Sequence, residues 1–263
     1  MPKLSRDNIL TLLLFLILAT AFYLVGYWLI YRLGRATPLM LSVGVAAILT
    51  CVIRRRNLAA LGWRWGQWRW QWLSYVIPLG LAALSYALIV ALDPATWLNT
   101  TFIAEQRESF NLPQFSDAGI VAIQLLITAT ISFMLALPSV LGEEVAWRGF
   151  LVPELARSFS FTSVALISGG LWALWHWPLI LLGLYGNDVT PTYFQLITFS
   201  AFIVGLSMTM TYLRYKTGSL WTAVVFHMSL EEALINSNMA LAYRAVRNRG
   251  FPSTACSLPG EKG

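Results

Sequence analysis

Charge is what this sequence has least of. Only 11% of its 263 residues are Asp, Glu, Lys or Arg, against about 25% in an ordinary soluble domain. A chain that is 57% hydrophobic lacks the polar surface to cover itself in water, which excludes a soluble globular domain and leaves an integral membrane protein. Cysteine is scarce too. Cys51 and Cys256 fall in an expected span and a polar tail, which excludes a disulfide framework and a cysteine metal knuckle. The net charge of +6 comes from arginines near span ends. That distribution fits lipid headgroups, and no basic face stands apart for nucleic acid.

What is present is apolar length. A membrane-crossing helix needs about 20 apolar residues. By that measure helices are expected at 8–31, 37–53, 73–92, 118–140, 142–157, 162–182, 193–213 and 219–241. The expected fold is therefore all-α, a multi-pass transmembrane bundle of about eight helices in one membrane domain over 1–263. The first apolar run is too long for a signal-peptide core and no small-residue cleavage site follows, so it reads as a retained span. The stretch "RRRNLAALGWRWGQWRWQW" interleaves Trp and Arg as headgroup-level segments do. Arg54, Arg55, Arg56, Arg64 and Arg69 place it in the cytoplasm, with Lys3 and Arg6 in agreement. The acidic loop 93–117, with a sequon at Asn99, then faces outward. Sidedness beyond residue 141 depends on whether 142–157 crosses as a separate span. If it does, Arg214 and Lys216 face out and the tail with Arg244, Arg247 and Arg249 faces in; otherwise both swap.

Few ionisable residues fall inside the expected spans: Glu143, Glu144, Arg148, Glu154, His176, His227, Glu231 and Glu232. They include both histidines of the chain. A charge at bilayer depth costs at least about 2.5 kcal/mol, so such residues mark a function by default. In "LGEEVAWRGF", Glu144 and Arg148 are four apart on one helical face, at ion-pair spacing. Glu143 is turned about 100° away. Arg148 can neutralise Glu144 while Glu143 enters a cavity as a general base. "WALWHWP" sets Trp172 and His176 four apart, and "GSLWTAVVFHMSLEE" does the same for His227 and Glu231. Carboxylate and imidazole converging from three helices on a dry site suit the activation of water.

The order "EEVAWR", then "WALWH", then "GSLWTAVVFH" resembles the CPBP (Abi) family, over roughly 118–241. That family contains type II CAAX prenyl endopeptidases and bacteriocin-processing or immunity proteins. The resemblance implies an intramembrane endopeptidase whose substrate is a membrane-associated, CAAX-type peptide or protein. It implies that Glu143 and His176 activate the attacking water, and that Glu144 and Arg148 support them. It implies oxyanion stabilisation by His227 with a residue four positions on. There Glu231 stands where asparagine is usual, and Trp172 stands where phenylalanine is typical. An ionised carboxylate can only accept a hydrogen bond, so Glu231 serves as a donor only when protonated.

No cofactor is expected. Glu143, His176 and His227, with Glu231, would meet the ligand count of a catalytic zinc. Yet no local spacing such as H-E-x-x-H occurs, which favours the metal-free reading over the zinc one. Two other classes stand beside the enzyme: a non-catalytic immunity or scaffold member, and a proton-coupled transporter, whose usual internal repeats are not seen here. The expected location is the plasma membrane of a prokaryotic cell.

Overall fold

A computed structural model describes residues 5–92, 94, 100–186 and 190–234, the side chains at 101, 129 and 231–234 excepted. Eight helices run along them: α1 (Arg6–Leu33), α2 (Thr37–Ile53), α3 (Trp68–Leu92), α4 (Thr100–Ser109), α5 (Asp117–Ala156), α6 (Phe161–Leu181), α7 (Thr192–Thr217) and α8 (Trp221–Leu234). The count agrees with expectation but the partition does not. The helices expected at 118–140 and 142–157 are one continuous helix, α5, and a short α4 lies within the segment 93–117. Helices α1, α3, α5, α6 and α7 are long and apolar enough to cross a membrane.

Local chemistry explains the helix ends. Ser5, Ser116 and Ser160 each accept a hydrogen bond from the backbone N–H three residues on, satisfying a donor that the first turn leaves open. Gly34 and Gly218 close α1 and α7 in the left-handed conformation, where a side chain is strained.

Inside α5 the backbone widens to the π register over Val145–Leu151. There the Val152 N–H reaches the Trp147 carbonyl, five residues back. The next bond in that register would run from residue 153 to Arg148. Residue 153 is a proline, which has no N–H to give. Arg214 Nε supplies the missing donor from α7, 3.1 Å from the Arg148 carbonyl.

Arg214 also donates to the carbonyls of Ala60 and Gly218. The segment 58–67 is thereby strapped to the start of α8, where the Leu220 N–H meets the Gly62 carbonyl at 2.7 Å and Trp221 Nε1 the Trp63 carbonyl at 2.9 Å.

Polar pairing gathers several segments at one end of the bundle. Asp7 accepts from Arg54 and Arg56, and Glu154 sits 3.5 Å from Arg56 and 3.3 Å from Arg157. With α5 continuous, Arg214 lies beside the arginine-rich segment 54–67 through its bond to Ala60, as the second of the two expected arrangements requires. Lys3, Asn99, Cys256 and the arginines of the tail lie outside the described residues.

Helix α5 approaches α2 without side chains between. A Cβ on Gly142 would lie 2.7 Å from the Leu41 Cα, and one on Gly44 2.5 Å from the Gly142 carbonyl. Small residues permit such backbone contact between membrane helices. Here the contact sits directly beside Glu143.

Candidate active site

Glu143, Glu144 and Arg148 from α5, Trp172 and His176 from α6 and His227 from α8 are all buried. They meet in one cluster. Arg148 and Glu144 are fully enclosed and pair at 2.9 Å, with the Arg148 guanidinium also 4.2 Å above the Trp172 ring. The Glu144 oxygen that receives Arg148 accepts a second bond from His227 Nδ1 at 3.0 Å.

Glu143 lies apart from that pair. Its Oε2 accepts the indole N–H of Trp172, and Trp147 Nε1 lies 3.4 Å from the same oxygen. Its Oε1 faces His176 Nε2 at 3.9 Å, beyond direct hydrogen bonding.

Hydrogen-bond chemistry sets the histidine tautomers. His176 Nδ1 is 3.1 Å from the Trp172 carbonyl, which only accepts, so Nδ1 carries the proton and the neutral ring turns a lone pair on Nε2 toward Glu143. The ring is held between Phe199 at 5.2 Å and Tyr185 at 5.5 Å between centroids. His227 Nδ1 faces a carboxylate and likewise donates. Its Nε2 therefore becomes a donor only when the ring is a cation.

Glu231 belongs to α8, but its side chain, like that of Glu232, lies outside the described residues. Glu154 belongs to the arginine cluster at the bundle end. Among the described residues, no group of three His, Cys, Asp or Glu side chains is arranged to hold a metal ion.

Two contributors escaped the sequence reading. Trp147 sits within the "EEVAWR" motif, and its i,i+4 spacing from Glu143 is the signal that could have marked its indole N–H as a donor to that carboxylate. It also walls an apolar groove of about 230 Å³ between α1 and α6, lined by Phe15, Ala19, Tyr23 and Trp175. Arg214 read as a charge marking a span end, whereas it is a buried donor to the backbone of the motif helix.

Residues 123–231 match the family described as type II CAAX prenyl endopeptidase Rce1-like. CAAX prenyl protease 2 of Methanococcus maripaludis is 28% identical over 102 residues, covering 38% of this chain and 36% of that protein. The matched region thus spans about a third of the length of that curated relative. No solved structure matches. The segment that carries the three motifs is thus similar to the CPBP/Rce1-like family, and with five helices long and apolar enough to cross a bilayer the chain is an integral membrane protein.

Proposed function

We propose that this protein is an intramembrane endopeptidase that hydrolyses peptide bonds of membrane-associated, CAAX-type substrates in a prokaryotic plasma membrane, with water activated by Glu143 and His176. The observation that carries the reading is the buried pair of facing acceptors, Glu143 Oε1 and His176 Nε2, 3.9 Å apart. A water about 2.8 Å from both would subtend about 90° at its oxygen, near the angle between its two O–H bonds. It can donate one proton to each acceptor and present its lone pairs to a peptide carbonyl.

Glu143 then takes the proton as the carbon–oxygen bond forms, and returns it to the departing amine as the carbon–nitrogen bond breaks. The carbonyl oxygen gains charge in that step and needs a donor. His227 Nε2 provides one when the ring is a cation, balanced by Glu144. With Glu143 and Glu144 ionised, Arg148 and a cationic His227 bring the cluster to neutrality, which suits a site removed from water.

The test is cleavage of a peptide library, including farnesylated and unprenylated CAAX peptides, by the protein in nanodiscs. Glu143→Gln keeps the shape and loses the proton acceptor, so a loss of about 100-fold or more in turnover is expected with the fold intact. Near-native cleavage by Glu143→Gln removes it as the base. A chelator arm addresses the metal-free form of the reading: turnover that persists without stoichiometric metal supports it. Loss reversed by one equivalent of zinc overturns it in favour of a Lewis-acid mechanism.

A further inference from the structure

We infer that Trp172, assisted by Trp147, is a positioning residue that fixes which oxygen of Glu143 accepts the proton. The inference rests on the reading of Glu143 as the base and adds the reason why only one of its oxygens serves. A carboxylate has two equivalent oxygens and rotates about a soft terminal torsion. Here the equivalence is broken. Oε2 takes the Trp172 N–H and, more weakly, that of Trp147 at 3.4 Å, while Oε1 alone is turned to His176. Rotating the carboxylate would exchange the oxygens but leave both indoles facing the same site. The clamp therefore acts on orientation, whichever label each oxygen bears.

The indole is itself held from the other side. The Arg148 guanidinium lies 4.2 Å from the Trp172 ring centroid, and the His227 ring packs against it in a T-shape at 5.0 Å. A cation over the ring face is attracted by its negative quadrupole and fixes the ring plane. It also draws electron density from the ring, which strengthens the N–H as a donor. Trp172 thereby joins the two carboxylates of the motif mechanically. The Glu144–Arg148 pair holds the indole, and the indole holds Glu143. Trp147 completes the clamp from within α5 itself, one turn beyond Glu143, where the π register carries it.

Trp172→Phe is the informative variant, because it keeps an aromatic face for Arg148 and removes only the N–H donor and ring bulk. A misoriented base loses rate rather than substrate affinity. The expected result is a fall in kcat of about 10-fold with KM unchanged, and about 2-fold for Trp147→Phe, whose contact is longer. A spectroscopic arm reads the bond itself. Ultraviolet resonance Raman of wild type minus Trp172→Phe should show a strongly hydrogen-bonded indole. The same difference taken in a Glu143→Ala background should show an unbonded one.

Wild type against Glu143→Ala alone gives that reading without either tryptophan variant, so a Trp172→Phe protein that fails to fold does not remove the test. Full kcat in folded Trp172→Phe, while Glu143→Gln is inactive, overturns the clamp and leaves the base assignment standing. An indole band indifferent to Glu143→Ala overturns it as well. Turnover retained in Glu143→Gln overturns the base, and the clamp with it.

Discussion

The two halves of α5 make an instructive pair, because both belong to one continuous 40-residue helix. Between Asp117 and Glu143 it has no ionisable residue, and large side chains stand outward: Leu126 is 64% exposed and Leu135 74%. From Val140 to Val152 nearly every described side chain is buried, including Glu143, Glu144 and Arg148. The polarity is inverted relative to a soluble protein. Lipid solvates leucine as well as a protein interior does, so burying it gains little. Lipid cannot solvate a carboxylate, so the charged half is the one enclosed.

The sharpest way to break that comparison is to remove the cation. Arg148→Ala takes the cation from the enclosed Glu144, leaving it His227 among the described residues, and strips the guanidinium from Trp172. Loss of one partner of a buried pair costs about 3–5 kcal/mol. Folded yield and the thermal midpoint should both fall sharply, beyond any loss of turnover. A variant as stable as wild type would mean that α5 is enclosed for reasons other than pairing its charges.

A smaller effect is expected where the enclosed half touches α2. Gly142→Ala drives a methyl to 2.7 Å from the Leu41 Cα and from the Met40 carbonyl, backbone atoms that cannot swing aside. The helices must separate, at about 1–3 kcal/mol. Since Gly142 adjoins Glu143, turnover should fall along with thermal stability. Unchanged stability in Gly142→Ala would show that the α2–α5 approach is looser than its backbone contacts indicate.

Much of this architecture was legible in the sequence, and the failures have physical causes. The spans could be read because lipid demands length and apolarity, and both are written in composition. Glu144 and Arg148 meet as their i,i+4 spacing requires, since helical geometry alone dictates it. The break expected between 118–140 and 142–157 is not there, although Gly142 and the motif charges fall at it. Each is instead absorbed within α5, the glycine by contact with α2 and the charges by α6 and α8. The π turn was invisible because it depends on Arg214, distant in sequence, replacing the bond that Pro153 cannot make. Trp147 was missed for a related reason. An indole near a charged motif in a membrane chain looks like ordinary apolar packing until its N–H is seen aimed at Glu143.

The smallest effect is expected in the outward half, and it tests the comparison from the other side. Leu135→Ala removes the same atoms as Leu151→Ala, 16 residues along the same helix. Leu135 is 74% exposed, whereas Leu151 is 2% exposed within the packed π segment. Truncating Leu151 opens a cavity with lost contacts on all sides and should cost about 2–4 kcal/mol. Truncating Leu135 exchanges leucine–lipid contact for alanine–lipid contact and should stay within about 0.5 kcal/mol. Thermal unfolding of both variants in nanodiscs of one lipid composition measures the difference directly. Equal losses would mean that the outward half of α5 is covered by protein, a second copy or another subunit, and that its exposed leucines form an interface.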